Sequence, residues 1–272
     1  MMPEGHMLQL PDGVSLYFET HGAGAPLLLV AGLASDSQSW GPVVQNLAED
    51  FLVITPDNRG AGRSTQSGAD ISIRTMADDC MALLDALGID STAIVGHSMG
   101  GFVALECALR YPGRVTGLVL EGSAPGSSPE TVRLLRRWAA DLVAGAEPAG
   151  WFRALFPWLF TSAFLEAPQV MDEAVRGAVE YPYPQSPEAF RKQVEAIAGF
   201  DCSGQLGTLG LPTLIIHGCE DRLFPAAASI EALSAIRGAR ATLIDRAAHA
   251  VHVEQPEAFV SAIRAFRSEL PF

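Results

Sequence analysis

The chain alternates short apolar runs with longer segments in which apolar residues recur every three to four positions. Met7 to Leu10 and Val14 to Thr20 predict two strands, and Pro11-Asp12-Gly13 between them is a hairpin turn, so the first elements run antiparallel. Later runs are mostly apolar, Pro26 to Ala31 without a break: besides it Phe51 to Thr55, Thr92 to Val95, Val115 to Glu121, Pro212 to His217 and Ala241 to Ile244. Such runs are expected of strands covered on both faces. Helical spacing predicts helices over about Trp40 to Leu47, Ile73 to Leu87, Gly101 to Tyr111, Ala226 to Ile236 and Pro256 to Leu270. Alternating strands and helices predict an α/β fold, with a mostly parallel central sheet, an antiparallel N-terminal hairpin and helices on both faces. In such folds the functional residues gather at the carboxyl ends of the strands.

The alternation stops at Gly122. From about Ala124 to Leu206 the chain offers helical patches and proline breaks: Thr131 to Val143, Trp151 to Phe164, Pro168 to Glu180 and Pro187 to Gly199. This divides the chain into an α/β core, residues 1–123 and 207–272, and a helical insert over 124–206. The insert holds three of the four tryptophans and six of the 13 phenylalanines. Phe152, Phe156, Phe160 and Phe164, at helical spacing, are first of all the packing face of a helix. A helical insert between two sheet strands has to lie over the strand ends, so it is also a candidate cap whose apolar face lines a substrate pocket.

Candidate chemistry centres on Gly96-His97-Ser98-Met99-Gly100, which follows a strand and opens a helix. In that setting Gly-x-Ser-x-Gly is a nucleophile elbow, the serine strained and the glycines leaving room for the neighbouring strand and helix. The plainer reading is a Gly-Ser turn between two buried elements. An alcohol needs a base to take its proton, and the imidazole needs a carboxylate to hold one tautomer. Asp221 and His249 lie just past two successive strands, in the chain order serine, acid, histidine. Asp245 is the fallback acid, and Glu220 neighbours Asp221. His97 is expected to point into the structure around the elbow, His217 to be a satisfied core residue, and His252 to have a packing or solvent-facing role. The glycine-rich loop Asp57 to Thr65 lacks the lysine and spacing of a phosphate cradle.

Composition narrows the partners. Eighteen basic against 31 acidic residues give −13, which argues against nucleic acid and against an anionic membrane surface. Met1 to His6 has neither the basic region nor the apolar core of a signal peptide, no stretch is long and apolar enough to span a bilayer, and a cytoplasmic protein is expected. Cys80, Cys107, Cys202 and Cys219 have no paired or metal spacing and are expected to be buried thiols.

Four motifs in order carry a resemblance: Gly96-His97-Ser98-Met99-Gly100-Gly101, the loop Asp57-Asn58-Arg59-Gly60-Ala61-Gly62-Arg63-Ser64, Gly218-Cys219-Glu220-Asp221 with Pro225, and His249 with Glu254 and Pro256. Over almost its whole length the chain resembles the α/β-hydrolase fold superfamily, and within it the small capped bacterial esterases and lactonases such as the 3-oxoadipate enol-lactonase-like hydrolases. The resemblance implies that Ser98 is the nucleophile, His249 the base and then the acid, and Asp221 the orienting carboxylate. It places an oxyanion hole at the backbone N–H groups of Met99 and Leu33. It implies no metal and no organic cofactor. The chain departs from the pattern twice: Ala31 precedes Gly32 where the family has histidine, and Ala248 precedes His249 where it has glycine.

The expected function is therefore hydrolysis of a small-molecule carboxylic ester or lactone through an acyl-enzyme. A thioesterase, a C–C bond hydrolase and a perhydrolase share the triad and stay open, as does a non-catalytic ligand-binding receptor on the same fold. Arg133, Arg136, Arg137 and Arg153 are either a carboxylate-binding set or a solvated helix face. The oligomeric state is open, a homodimer included.

Overall fold

The computed structural model describes residues 5–68 and 70–270; the opening residues 1–4 used in the signal-peptide reading lie outside them. Eight strands form one sheet: β1 (Gly5–Gln9), β2 (Ser15–His21), β3 (Ala25–Val30), β4 (Phe51–Pro56), β5 (Thr92–His97), β6 (Val115–Glu121), β7 (Thr213–Gly218) and β8 (Arg240–Ile244). Their order across the sheet is β1-β2-β4-β3-β5-β6-β7-β8. The hairpin β1–β2 and the pairing of β2 with β4 are antiparallel, and the remaining pairs are parallel.

Side chains alternate across the sheet, so each apolar run feeds two cores. Leu28, Val30 and Ile94 face one, with the helices α2 (Ile73–Ala86) and α3 (Met99–Arg110); Leu27, Leu29, Ala93 and Val95 face the other, with α1 (Gly41–Leu47) and α11 (Pro256–Phe266). After β3 the chain moves to one side of that strand, to β4, and then crosses to its other side, to β5. That reversal opens a crevice at the carboxyl ends of β3 and β5, where sheets of this kind bind ligands. Ala31-Gly32-Leu33 leaves one of these ends and Ser98 the other.

Between β6 and β7 the chain folds as α4 (Pro129–Val143), α5 (Pro148–Leu159), α6 (Ser162–Leu165), α7 (Pro168–Val179) and α8 (Pro187–Ala198), with α4 packed on α8 and α5 on α7. The helix expected over Trp151 to Phe164 is two helices. Phe160 is extended (φ −127°, ψ 152°), and the Thr161 side chain caps α6 by accepting from the Phe164 N–H at 3.1 Å. The phenylalanine row survives the break, with ring centroids 5.7, 5.8 and 5.3 Å apart from Phe152 through Phe156 and Phe160 to Phe164. The core closes with α9 (Ala226–Leu233) and α10 (Val251–Glu254) before α11. Cys80, Cys107 and Cys202 are buried thiols, whereas Cys219 is exposed: it sits in the loop after β7, its thiol directed at the exposed Asp245 carboxylate.

The loop from Asp57 to Thr65 is filled by its own side chains. Asp57 accepts from the N–H groups of Ser37 (2.9 Å) and Arg63 (2.8 Å), and Ser64 donates to the Asp57 carbonyl at 2.6 Å. The buried Arg59 guanidinium forks onto Asp79 of α2 at 2.6 and 2.5 Å, and also reaches Asp12 at 3.0 Å. Removing one partner of a buried pair leaves the other charge out of water without compensation. Asp79→Ala is expected to destabilise the fold by about 3 kcal/mol, seen as a lower urea midpoint at an unchanged slope; a loss below about 1 kcal/mol would show Asp12 alone to suffice.

Candidate active site

Ser98 stands between β5 and α3 with φ 55° and ψ −119°, one of three non-glycine residues at positive φ among those described. The conformation is costly for a residue with a Cβ and persists because its surroundings over-determine it. Its N–H donates to the Glu121 carbonyl at 2.8 Å, and its own carbonyl accepts from Gly101 N–H and Ser123 Oγ, both at 2.9 Å. The flanking glycines are sites of close approach. A Cβ at Gly96 would lie 2.3 Å from the Gly100 carbonyl oxygen, and one at Gly100 would lie 2.0 Å from that of Val30.

The second wall of the crevice is Ala31-Gly32-Leu33. A Cβ at Gly32 would lie 3.1 Å from the Ser98 Cβ, so glycine lets this segment run against the serine. Asn58 Nδ2 donates to the Ala31 carbonyl at 2.9 Å, fixing the segment where the family's histidine is missing. Met99, the first residue of α3, and Leu33 both line the cavity beside Ser98. The first N–H groups of a helix have no partner within it and form its positive end.

Asp221 and His249 are brought together. The His249 Nδ1 donates to Asp221 Oδ2 at 2.9 Å, which places the proton on Nδ1 and the lone pair on Nε2. Asp221 Oδ1 accepts from the N–H groups of Leu223 and Phe224, each at 2.9 Å. Burial pushes this carboxyl up, but the His249 ring and the surrounding donors outweigh it and hold the group well below the ordinary range. The fallback Asp245 is exposed, and so is Glu220. Gly218 lets the two loops meet, since a Cβ there would lie 2.1 Å from the Ala248 carbonyl oxygen. Ala248 stands without strain in place of glycine: its φ is not positive, and its N–H donates to Glu254 Oε2 at 2.6 Å.

The histidine loop has a second set of supports that sequence reasoning missed. Leu159, the last residue of α5, accepts from the N–H groups of His249 (3.1 Å) and Ala250 (3.2 Å). Glu254 Oε1 accepts from the Thr161 N–H at 2.9 Å and from its hydroxyl at 2.8 Å. The insert is thus bonded to the backbone on both sides of His249. Glu254 in the fourth motif was the available signal; nothing along the chain marks Leu159.

Behind His249 lies a buried cluster. His97 Nε2 donates to the His249 carbonyl at 3.2 Å, and its ring sits 4.9 Å from the His249 ring. His252 is buried against Trp40 at 4.6 Å, and its Nδ1 donates to Glu121 at 2.9 Å, so its role is packing and hydrogen bonding, away from solvent. His217 Nε2 donates to the Ser123 carbonyl at 3.0 Å, and its Nδ1 is 3.8 Å from Asp221. Among the described residues His97, Glu121 and His252 are the one group with the donor types and proximity to hold a metal ion. The Glu121 carboxylate is already engaged by the His252 ring and backbone N–H.

A cavity of about 970 Å³ joins Ser98 and His249 to the inner face of the insert. Phe152, Phe156 and Phe160 line it, so the aromatic row is both a packing face and a pocket wall. The four arginines are not part of it. Arg133 pairs with Glu130, Arg136 with Glu195 and Arg153 with Asp172 on the surface, while Arg137 lines a separate groove with Asp141. They form the solvated face.

The comparisons with known proteins agree with the fold. Residues 25–256 match the model of the alpha/beta hydrolase fold family. A Rhizobium rhizogenes protein named "Putative carbamate hydrolase RutD" is 29% identical over 94% of this chain and 100% of its own. The malate-bound thermophilic esterase from Thermogutta terrifontis superposes with a TM-score of 0.86 at 29% identity, covering 98% of this chain and 100% of that one. The enol-lactonase from Burkholderia xenovorans LB400 gives 0.87 at 25% identity, covering 97% and 100%. Among the described residues no helix is long and apolar enough to cross a membrane.

Complete burial pushes the His97 imidazole down to about 3 from its ordinary 6.5, so it is neutral in the fold across the physiological range. Unfolding at a pH between those two values takes up a proton, so His97 costs stability as pH falls through 6.5 towards 3. The expected slope from this one group is about 1.4 kcal/mol per pH unit. Stability measured by denaturant from pH 6 to pH 4 is expected to fall less steeply in His97→Asn than in the wild type; equal slopes would mean that His97 carries a proton in the folded protein.

Proposed function

Because the chain belongs to the alpha/beta hydrolase fold family, we propose that it is a serine hydrolase cleaving carboxylic esters or lactones through an acyl-enzyme on Ser98. The observation that carries this reading is an imidazole whose Nδ1 is bound to a buried carboxylate and which shares a cavity with a serine strained at a strand-to-helix turn.

The Ser98 oxygen attacks the substrate carbonyl while its proton passes to His249 Nε2. Asp221, kept ionised, stabilises the imidazolium and its orientation. The oxyanion is received by the N–H groups of Met99, at the amino end of α3, and of Leu33, in the loop after β3, where donors preset for the charge need no rearrangement. His249 then protonates the leaving alkoxide, the carbon–oxygen bond breaks, and the acyl group stays on Ser98. Water, deprotonated by the same imidazole, attacks the acyl-enzyme, and the proton returns to Ser98 as the acid leaves. The insert serves as a cap that closes the pocket and braces His249.

Carbamate cleavage, the activity in the names of several relatives, would use the same attack. The large apolar cavity favours an ester or lactone with apolar bulk over a compact polar carbamate.

Members of such a triad act as a unit, and removing one costs on the order of 10⁴ to 10⁶ in turnover. With a short-chain p-nitrophenyl ester, Ser98→Ala is expected to fold as the wild type does and to lose activity by that factor. A variant within tenfold of wild type would mean that another residue is the nucleophile.

A further inference from the structure

The cavity at Ser98 has a composition that the chemistry does not require. Its volume of about 970 Å³ stands at the upper end of what encloses a drug-sized ligand. On the side of α4 and α5 its wall is made of large apolar side chains, among them Leu135, Trp138, Leu142, Leu155 and Phe156. Trp138 and Leu155 are buried in the same core that carries α3, so this wall belongs to the packed body of the protein.

The β3–α1 loop and the segment after α7 contribute the polar part of the lining, among it Ser35, Asp36, Gln38, Tyr181 and Gln185. Asp36 accepts there from the Tyr181 hydroxyl at 2.6 Å and from the Gln38 N–H at 3.0 Å. Among the described residues that line the cavity, Asp36 is the one carboxylate, and there is no lysine or arginine. Arg63 lies behind this part of the wall, its guanidinium 5.1 Å from the lining Tyr183 ring, but it does not itself line the cavity and its charge is paired with Asp57 and Glu19.

These observations bear on which ester can enter. A carboxylate taken from water into this space would lose its hydration, meet no unpaired cation and face Asp36. An alkyl chain would meet the opposite balance, since each methylene moved from water onto an apolar wall is favourable. Resting on the serine-hydrolase reading, we propose that the substrates are uncharged esters or lactones with an apolar chain of about six to ten carbons, and that esters carrying a carboxylate on that chain are excluded. A pocket serving dicarboxylic half-esters or carboxylate-bearing lactones would need a cation in the wall, and the arginines that sequence alone offered for that role lie outside.

The test is kcat/KM across the p-nitrophenyl esters from acetate to decanoate, together with the half-ester of suberic acid, which is the octanoate with a carboxylate in place of its terminal methyl group. Wild type and Ser98→Ala are run side by side on every substrate. Full burial contributes about 0.8 kcal/mol per methylene, or roughly fourfold, and half of that over the six methylenes between acetate and octanoate is about 60-fold. The expected result is a Ser98-dependent rise of at least that size to octanoate, with the suberate half-ester at least about 100-fold below octanoate.

A Ser98-dependent series that is flat or falls beyond butyrate, or a half-ester within threefold of octanoate, would overturn the inference and leave the hydrolase reading standing. Hydrolysis that persists unchanged in Ser98→Ala would overturn the hydrolase reading itself, and the substrate class with it.

Discussion

The geometry of the site rests on one strained residue. Ser98 can hold a positive φ only because its N–H, its carbonyl and both flanking glycines are committed to surrounding backbone: Glu121 of β6 on one side, Val30 of β3 on the other, and α3 beyond. Those strands stand in their places because the sheet order reverses at β3, which sets the ends of β3 and β5 side by side. Strain stored at such a point lifts the serine out of the sheet and aims it across the crevice. The same arrangement explains why Gly32 is glycine: the neighbouring loop has to pass within van der Waals contact of the Ser98 side chain.

The histidine is positioned by a different device, one that involves the helical insert. His249 is fixed at its ring by Asp221, at its carbonyl by His97, and at its N–H by Leu159. Glu254 closes the circuit by joining Thr161 of the insert to Ala248. A movement of α5 relative to the sheet would therefore be felt at the backbone of His249, so the insert is mechanically part of the candidate site. The buried cluster of His97, Glu121 and His252 supports this arrangement from behind. Burial works against the Glu121 charge, but His252 and His97 beside it, with the His252 donors, keep its carboxyl below the ordinary value.

Much of this was legible in the chain. The strands announced themselves as mostly apolar runs because both faces of the sheet are covered, and Ser98, Asp221 and His249 lay at strand ends in the expected order. What periodicity could not show was where one amphipathic segment breaks into two. The helix from Trp151 was expected to run to Phe164, yet a contact 93 residues away, from Thr161 to Glu254, ends it at Leu159. The role of Asn58 was hidden for the same reason. Its side chain holds the Ala31 carbonyl beside Gly32, and only the fold brings the two loops together. Cys219 was expected inside with the other thiols and lies outside, because the loop after β7 turns to the surface before Asp221 turns back in.

Under the proposed function, catalysis and selectivity stand on different physical footings. The catalytic groups depend on angstrom-scale hydrogen bonds between strand ends, and strand ends are marked by motifs of fixed spacing. Selectivity depends on what a 970 Å³ space lacks as much as on what it holds, and a lack has no motif. Arginines on a helix look alike in sequence whether they face a ligand or the solvent. Only the pairing of Arg133, Arg136 and Arg153 with surface carboxylates shows that the charge here has been spent outside the pocket. With no unpaired cation to greet an anion and a wall of leucine, tryptophan and phenylalanine in its place, hydrophobic transfer would rank substrates on the proposed reading, while the proposed triad would treat their carbonyls alike.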